Sequence, residues 1–248
     1  MIWSRCEGAR HIGLLEGTLF RLVESQQQIA TLSYVDTLEE QNILEDMLDE
    51  VKPPYLESTT HLHYLLKTPF RYPPLRWGSR FGQAHETSIF YGGCHIETTL
   101  CEAAYYRFVF LYSMLGEPVK TKIRSEHTLF SVDYKTNYGI QLENPPFCNY
   151  EAELTHRSSY AICQQLGTAM REAGVEAFSY QSARAESGHC VGLFNPQAFS
   201  DTKPKDMSYW LCETGEESVS FRQVDEKRII KFPLTDFLLE GTLPLPVP

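Results

Sequence analysis

The stretch Gly78–Ala103, GSRFGQAHETSIFYGGCHIETTLCEA, sets an arginine, a tyrosine and a glutamate at equal intervals of eleven residues: Arg80, Tyr91 and Glu102. Within it, Ser88–Gly92 (SIFYG) is rich in β-formers and predicts a short strand closed by a tight Gly92-Gly93 turn. Thr98 predicts the N-cap of a helix reaching about Met114, with no proline or glycine inside it. Leu100, Ala104, Phe108, Leu111 and Leu115 mark its buried stripe. Strand, turn and helix start form a compact unit that brings Tyr91 and the second turn of the helix to one cleft. Glu102, flanked by Leu100-Cys101 and Ala103-Ala104, lies at the border of the stripe, where a carboxylate needs a partner or a function. Singly, these residues read as a loop cation, a half-buried strand tyrosine and a solvated helix acid. Their combination points to a site.

Outward from this unit, Gly17–Val23 (GTLFRLV) reads as a strand carrying Arg21. Asp36 and Glu39 form a plausible capping pair for a helix with Leu44, Met47, Leu48 and Val51 at helical spacing, stopped by Lys52-Pro53-Pro54. A second short helix is expected over Ser58–Leu66, and prolines and glycine hold TPFRYPPLRWGSRF (68–81) extended. Downstream, Thr128–Tyr134 alternates like a strand, Asn144-Pro145-Pro146 is loop, and a helix from about Thr155 to Glu172 ends at Gly174. Strands follow at Glu176–Tyr180, Cys190–Phe194, Met207–Cys212, Ser218–Val224 and Arg228–Phe232. Many short strands with few interrupting helices predict an α+β fold in one domain over 1–248. Its core spans 17–199, with a helical insertion at about 36–68 and a C-terminal strand extension over 201–248.

The 248 residues are 42% hydrophobic, enough for a sizeable core, and carry a formal net charge of −10. That sign argues against direct nucleic-acid binding, which needs a basic footprint. No apolar run approaches the ~20 residues that cross a bilayer. The seven cysteines, at 6, 94, 101, 148, 163, 190 and 212, include no C-x-x-C pair. Dispersed thiols and the lack of a secretory signal pattern predict a cytoplasmic protein.

A cation for phosphate, an aromatic face for a flat heterocycle and a carboxylate beside a sugar suit cleavage of an N-glycosidic bond. Its transition state resembles an oxocarbenium ion, which a fixed carboxylate stabilises, and arginine matches a pyrophosphate through bidentate hydrogen bonds. Other chemistries find less support. Neither G-x-x-x-x-G-K-[ST], G-x-G-x-x-G nor G-x-S-x-G occurs. His61 and His63 lack a carboxylate or cysteine at metal-ligand spacing, so no metal is expected. Cys94-His95 is adjacent only in sequence, and a buried thiol is the simpler role there.

The segments LFRLV, TPFRYPPLRWGSRF, IFYGGCHIETTLCEAAYYRF, FSYQSAR and LFNPQAF together resemble the RES domain, a family named for its arginine, glutamate and serine. The resemblance runs from about Gly17 to Phe199. It implies an ADP-ribosyltransferase-like fold, a mixed β core of short strands flanked by helices. It also implies an NAD⁺-consuming toxin of a bacterial RES–Xre toxin–antitoxin pair, acting by glycohydrolysis or phosphorolysis, or by ADP-ribosylating a protein. A module that binds NAD⁺ without turnover is the alternative from another class. In the resemblance Arg21 and Arg80 hold the NAD⁺ phosphates, Tyr91 packs against nicotinamide or ribose, and Glu102 is the catalytic carboxylate. Ser182 is the site serine, a hydrogen-bond donor to ribose or nicotinamide, with Ser179 as its rival three residues away. Arg71, beside Tyr72, competes with Arg21 for the role of first arginine, at phosphate or as an ion-pair brace of its loop. An Xre-type antitoxin is the implied partner, and self-association is compatible with the sequence.

Overall fold

The computed structural model describes residues 1–25, 34–114 and 121–245. After a short helix α1 (Ile2–Arg5), the first strand, β1 (Gly13–Glu24), contains the expected Gly17–Val23 and extends it at both ends. The next helix, α2 (Leu38–Glu50), is capped one position later than Asp36 and Glu39 would do it. Thr37 Oγ1 accepts the Glu40 N–H at 3.1 Å, and the Glu40 carboxylate accepts the Asp36 N–H at 2.8 Å. The threonine hydroxyl thus occupies the N-cap and the glutamate three residues on closes the box.

The second short helix is displaced. Glu57–Thr59 is a single 3₁₀ turn, and α3 spans Tyr64–Arg71, running through Pro69. The expected extended run therefore begins after Arg71. Burial outweighs the proline penalty here: Leu65, Leu66 and Phe70 pack into the core, with Phe70 against Phe90 and Phe199.

Strand β2 (Phe90–Gly93) takes Gly92 and Gly93 into the strand rather than into a turn. Close approach explains both glycines. A Cβ on Gly92 would stand 2.7 Å from Leu19 Cδ1, and one on Gly93 would stand 2.5 Å from Thr99 Oγ1. The following helix, α4 (Ile96–Tyr112), has His95 at its N-cap, so Thr98 is not the cap but a buried residue of the first turn. Thr99 Oγ1 instead donates to His95 O and Phe20 O, tying the helix start to β1. Leu100, Ala104 and Phe108 are fully buried as the stripe requires, while Leu115 lies outside the described residues.

Strand β3 (Lys122–Gln141) is far longer than Thr128–Tyr134 because it serves three neighbours. It pairs with β1 along His127–Gly139, with β4 (Ala177–Gln181) in parallel at Gly139–Gln141, and with β6 (Met207–Gly215) along Lys122–Phe130. The helix expected from about Thr155 begins later, as α6 (Ala161–Glu172), and a separate short helix, α5 (Glu151–Leu154), ends just before the expected start. Between them His156 Nδ1 accepts the Ser158 and Ser159 N–H groups, fixing a turn that a continuous helix would not contain. Gly174, at φ +79°, follows the end of α6 as a left-handed C-terminal glycine.

With β5 (His189–Leu193), β7 (Ser218–Gln223) and β8 (Ile229–Pro233), the strands build one mixed sheet in the order β1-β2-β5-β4-β3-β6-β7-β8. Because β1 also pairs with β3, the first five close on themselves, and β6 to β8 continue outward. The fold is α+β. Leu19, Phe90, Phe130 and Val132 belong to one core cluster; Phe81, Phe178 and Leu166 of α6 belong to a second. In a third, Leu100, Tyr105 and Phe108 of α4 meet Trp210, Phe221 and Phe237. A fully buried leucine or phenylalanine is worth ~1.5–3 kcal/mol over its exposed state, so this cluster pins α4 firmly. Among the described residues no helix is long and apolar enough to cross a membrane.

Candidate active site

A cavity of about 280 Å³ opens where β1, β2 and α4 meet the loop before β2. Arg21, Arg80, Tyr91 and Glu102 all line it, together with Phe20, Ser79, Thr99, Tyr106, Tyr180 and Cys190. Three anchoring contacts explain the convergence: β1 pairs with β2 at Phe20–Gly93, Thr99 bonds the Phe20 carbonyl, and Gly93 lets the start of α4 sit against the strand. Glu102, in the second turn of α4, is thereby carried to the cavity wall.

Each cation is held differently. Arg21 Nη1 donates to Tyr91 O at 2.6 Å, and its guanidinium lies 4.7 Å from the Phe90 ring centroid. Its Nε is buried and has no hydrogen-bond partner among the described residues. Burial without an ionic partner lowers its pKa from the usual arginine value to about 10, so it is a cation at neutral pH with unspent donor capacity. Arg80 is 8% exposed and donates to Leu154 O at 3.3 Å and His156 O at 2.9 Å, with Tyr160 beneath it at 4.7 Å. Burial opposes its charge, but the facing Tyr160, Cys163, Glu102 and Tyr180 groups outweigh that penalty and raise its pKa. The break between α5 and α6 is what turns the two carbonyls toward it.

The Tyr91 hydroxyl accepts the Phe81 N–H at 3.1 Å and shares a 2.9 Å hydrogen bond with Ser79 Oγ. Burial pushes the phenol up to about 12, so it stays neutral. Its ring meets Tyr180 edge to face, centroids 6.3 Å apart. Burial likewise raises the Cys190 thiol well above its ordinary value and pushes Cys101 up to about 12. Neither sulfur is an activated nucleophile.

Ser182 Oγ donates to Glu102 Oε1 at 2.5 Å. The same oxygen accepts the N–H groups of Arg184 at 3.1 Å and Ala185 at 2.9 Å. Two backbone donors thus fix the serine oxygen and leave its proton for the carboxylate, so the hydroxyl proton points to Glu102. Ser179 is placed elsewhere, with its Oγ donating to Glu143 Oε1 at 2.6 Å. Ser182 stands behind Glu102 and does not line the cavity, so its proton is given to the carboxylate and not to a ribose or nicotinamide; Arg71 and Tyr72 do not line the cavity either. Arg71 donates to Asp49 Oδ1 at 3.1 Å and to Pro53 O, with its guanidinium 4.2 Å from the Tyr55 ring centroid, while Tyr72 is exposed.

Several cavity residues escaped the sequence reading. Tyr106 stands one turn beyond Glu102, and that i, i+4 spacing was an available signal. Tyr180 precedes Ser182 by two residues, the spacing that places strand side chains on one face. Thr99, Ser79 and Cys190 carried no comparable signal.

No curated protein matches the sequence. Among solved structures, a chain from the crystal structure of the M. tuberculosis MbcT–MbcA toxin–antitoxin complex is similar, at TM-score 0.47 and 11% identity, covering 82% of this chain and 88% of that one. The RES domain model matches residues 55–213, which include Arg80, Tyr91, Glu102 and Ser182 and leave Arg21 upstream. That segment is more than half of the chain, and the protein belongs to the RES domain family.

Proposed function

We propose that the protein cleaves the bond between nicotinamide and ribose in NAD⁺ and serves as the toxin of a toxin–antitoxin pair. One observation carries the reading: a carboxylate, Glu102, is aimed by Ser182 into a cavity that also holds Arg21, Arg80 and a fixed tyrosine. As the C1′–N bond breaks, neutral nicotinamide leaves with the bonding electrons and positive charge grows on the ribose. Glu102 stabilises that charge, which exists only on the way to the transition state. Arg21 and Arg80 hold the pyrophosphate, Arg21 through its unspent Nε, and the Tyr91 ring walls the sugar or the base. At about 280 Å³ the cavity is at the small end of the ~300–1,000 Å³ typical of ligand sites, so the nicotinamide riboside half enters and the adenosine lies across the mouth.

Water completes the reaction by giving its hydroxyl to C1′ and releasing a proton, which yields ADP-ribose. Phosphate in its place yields the 1″-phosphate. Incubating purified protein with NAD⁺ and following nicotinamide release tests the proposal. Loss of release in Glu102→Gln supports it, and equal background release by both proteins rejects it. Repeating the assay with phosphate separates the two acceptors, and labelled NAD⁺ in lysate reports transfer to protein as label on a band. An Xre-type antitoxin that fills the cavity is the partner this reading calls for, and its addition would suppress nicotinamide release.

A further inference from the structure

The loop that carries Ser182 joins β4 to β5 and closes on itself, with Ser182 N–H donating to Gly188 O at 2.7 Å and Gly188 N–H to Ala185 O at 3.0 Å. Inside it the Ser182 oxygen is set by the Arg184 and Ala185 amides, so the aim of its proton at Glu102 depends on where those two residues stand. Arg184 is buried and doubly gripped. Its Nη2 donates to Arg157 O at 2.5 Å, and its guanidinium lies 3.5 Å from the Tyr105 ring centroid.

Both grips lead to the segment after β8. Arg157 Nη1 donates to Asp236 O at 3.2 Å and Leu238 O at 3.1 Å, and Tyr105 OH donates to Pro244 O at 2.5 Å. Phe237 and Leu243 are buried in the α4 cluster, which seats the segment against the helix that carries Glu102. All of these tail residues lie beyond the part of the chain that the RES domain matches.

We infer that residues 234–245 form a strap that positions Arg184, and that Arg184 in turn sets the Ser182–Glu102 hydrogen bond. Arg184 does not line the cavity; it is a positioning residue. The strap itself stands on the contacts, whereas its effect on rate rests on the proposed cleavage of NAD⁺. A misplacement near 1 Å far from the chemistry can cost ~10²-fold in rate without weakening binding, and that is the signature expected here.

The test uses the full chain with Arg157→Ala, which cuts both bonds to the strap yet keeps the carbonyl that Arg184 needs, and Arg184→Lys, which removes the planar stack. Hydrogen exchange of the 183–188 amides is read by mass spectrometry beside kcat and KM for NAD⁺. Both variants are expected to exchange these amides at least about tenfold faster than wild type. They should also lower kcat by ~10- to 100-fold with KM within about twofold. Wild-type exchange rates in Arg157→Ala overturn the strap whatever the activity, and accelerated exchange with unchanged kcat in an active protein overturns its control of the Ser182–Glu102 bond. A wild type that never consumes NAD⁺ overturns the functional reading instead, and the exchange rates alone then decide the strap. Should Arg184→Lys fail to fold, Arg157→Ala carries both readouts.

Discussion

Two serines three residues apart on the chain each bond a glutamate, and the two pairs differ in almost everything but the hydrogen bond. Ser182 donates to Glu102 at 2.5 Å, and Ser179 donates to Glu143 at 2.6 Å. Strand alternation sends Ser179 to the face of β4 opposite Tyr180, away from the cavity that Tyr180 lines. Burial, with the Glu143 charge adding to it, pushes the Cys94 thiol there up to about 11. Glu102 instead shares its cavity with Arg21 and Arg80. A hydroxyl on a carboxylate is therefore no mark of catalysis by itself. What separates the pairs is the presence of cations and open space beside the acid.

The comparison breaks most directly at the acids. Glu102→Gln keeps the shape and removes the charge, and nicotinamide release is expected to fall by ~10²–10³-fold or more. Glu143→Gln should leave release within about twofold, because Glu143 does not line the cavity that holds the two arginines. Equal losses in the two variants would erase the distinction. Next in size is Arg21→Ala. Removing one charge-assisted contact of ~1.5–3 kcal/mol is expected to raise KM by ~10- to 100-fold, with a smaller change in kcat. Steady-state kinetics over a range of NAD⁺ concentrations reads the split.

How much of this was legible in the residues follows from what each signal depends on. The eleven-residue spacing of Arg80, Tyr91 and Glu102 survives as a shared cavity because strand and helix periodicity are local, and local geometry carries Glu102 to the second turn. The two glycines were visible, but their reason was not. They serve the approach of β1 and α4, a contact between segments far apart in sequence. The His156 turn, which delays the expected helix to Ala161 and supplies the carbonyls for Arg80, was hidden for another reason, since no proline or glycine marks it. Ser182 was the preferred serine on the chain because it follows the expected strand, but its bond to Glu102 depends on the closing of the 182–188 loop, which the sequence does not show. Arg71 showed an arginine beside a tyrosine among prolines, and no sequence pattern reveals that its partners are Asp49 and Tyr55.

The serines give the next test. Ser182→Ala is expected to lower kcat about tenfold, the loss of one oriented hydrogen bond to a charged group at ~1.5 kcal/mol, while leaving KM near wild type. Ser179→Ala should do the reverse kind of damage. Its hydroxyl is buried and is the donor to Glu143 Oε1, whose sister oxygen Oε2 has no hydrogen-bond partner among the described residues. Stripping that donor costs ~1–3 kcal/mol, read as a lower denaturant midpoint at unchanged slope, with nicotinamide release per folded molecule unaltered.

The smallest effect is expected at Arg71, and it sharpens the comparison among the arginines in the same way. Arg71 spends its donors on Pro53 O and Asp49 and rests on Tyr55, so it has no free face for a phosphate. Asp49 is exposed, with a side chain 63% accessible, so solvent screens the ion pair strongly. The stack on Tyr55 adds ~0.5–1 kcal/mol. Arg71→Ala should therefore lower the denaturant midpoint only slightly and shift KM for NAD⁺ by less than about twofold, against the large shift at Arg21. A KM effect at Arg71 matching that at Arg21 would mean that the α3 end closes over the cavity when NAD⁺ is bound. A crystal structure with NAD⁺ in place would then show Arg71 released from Asp49.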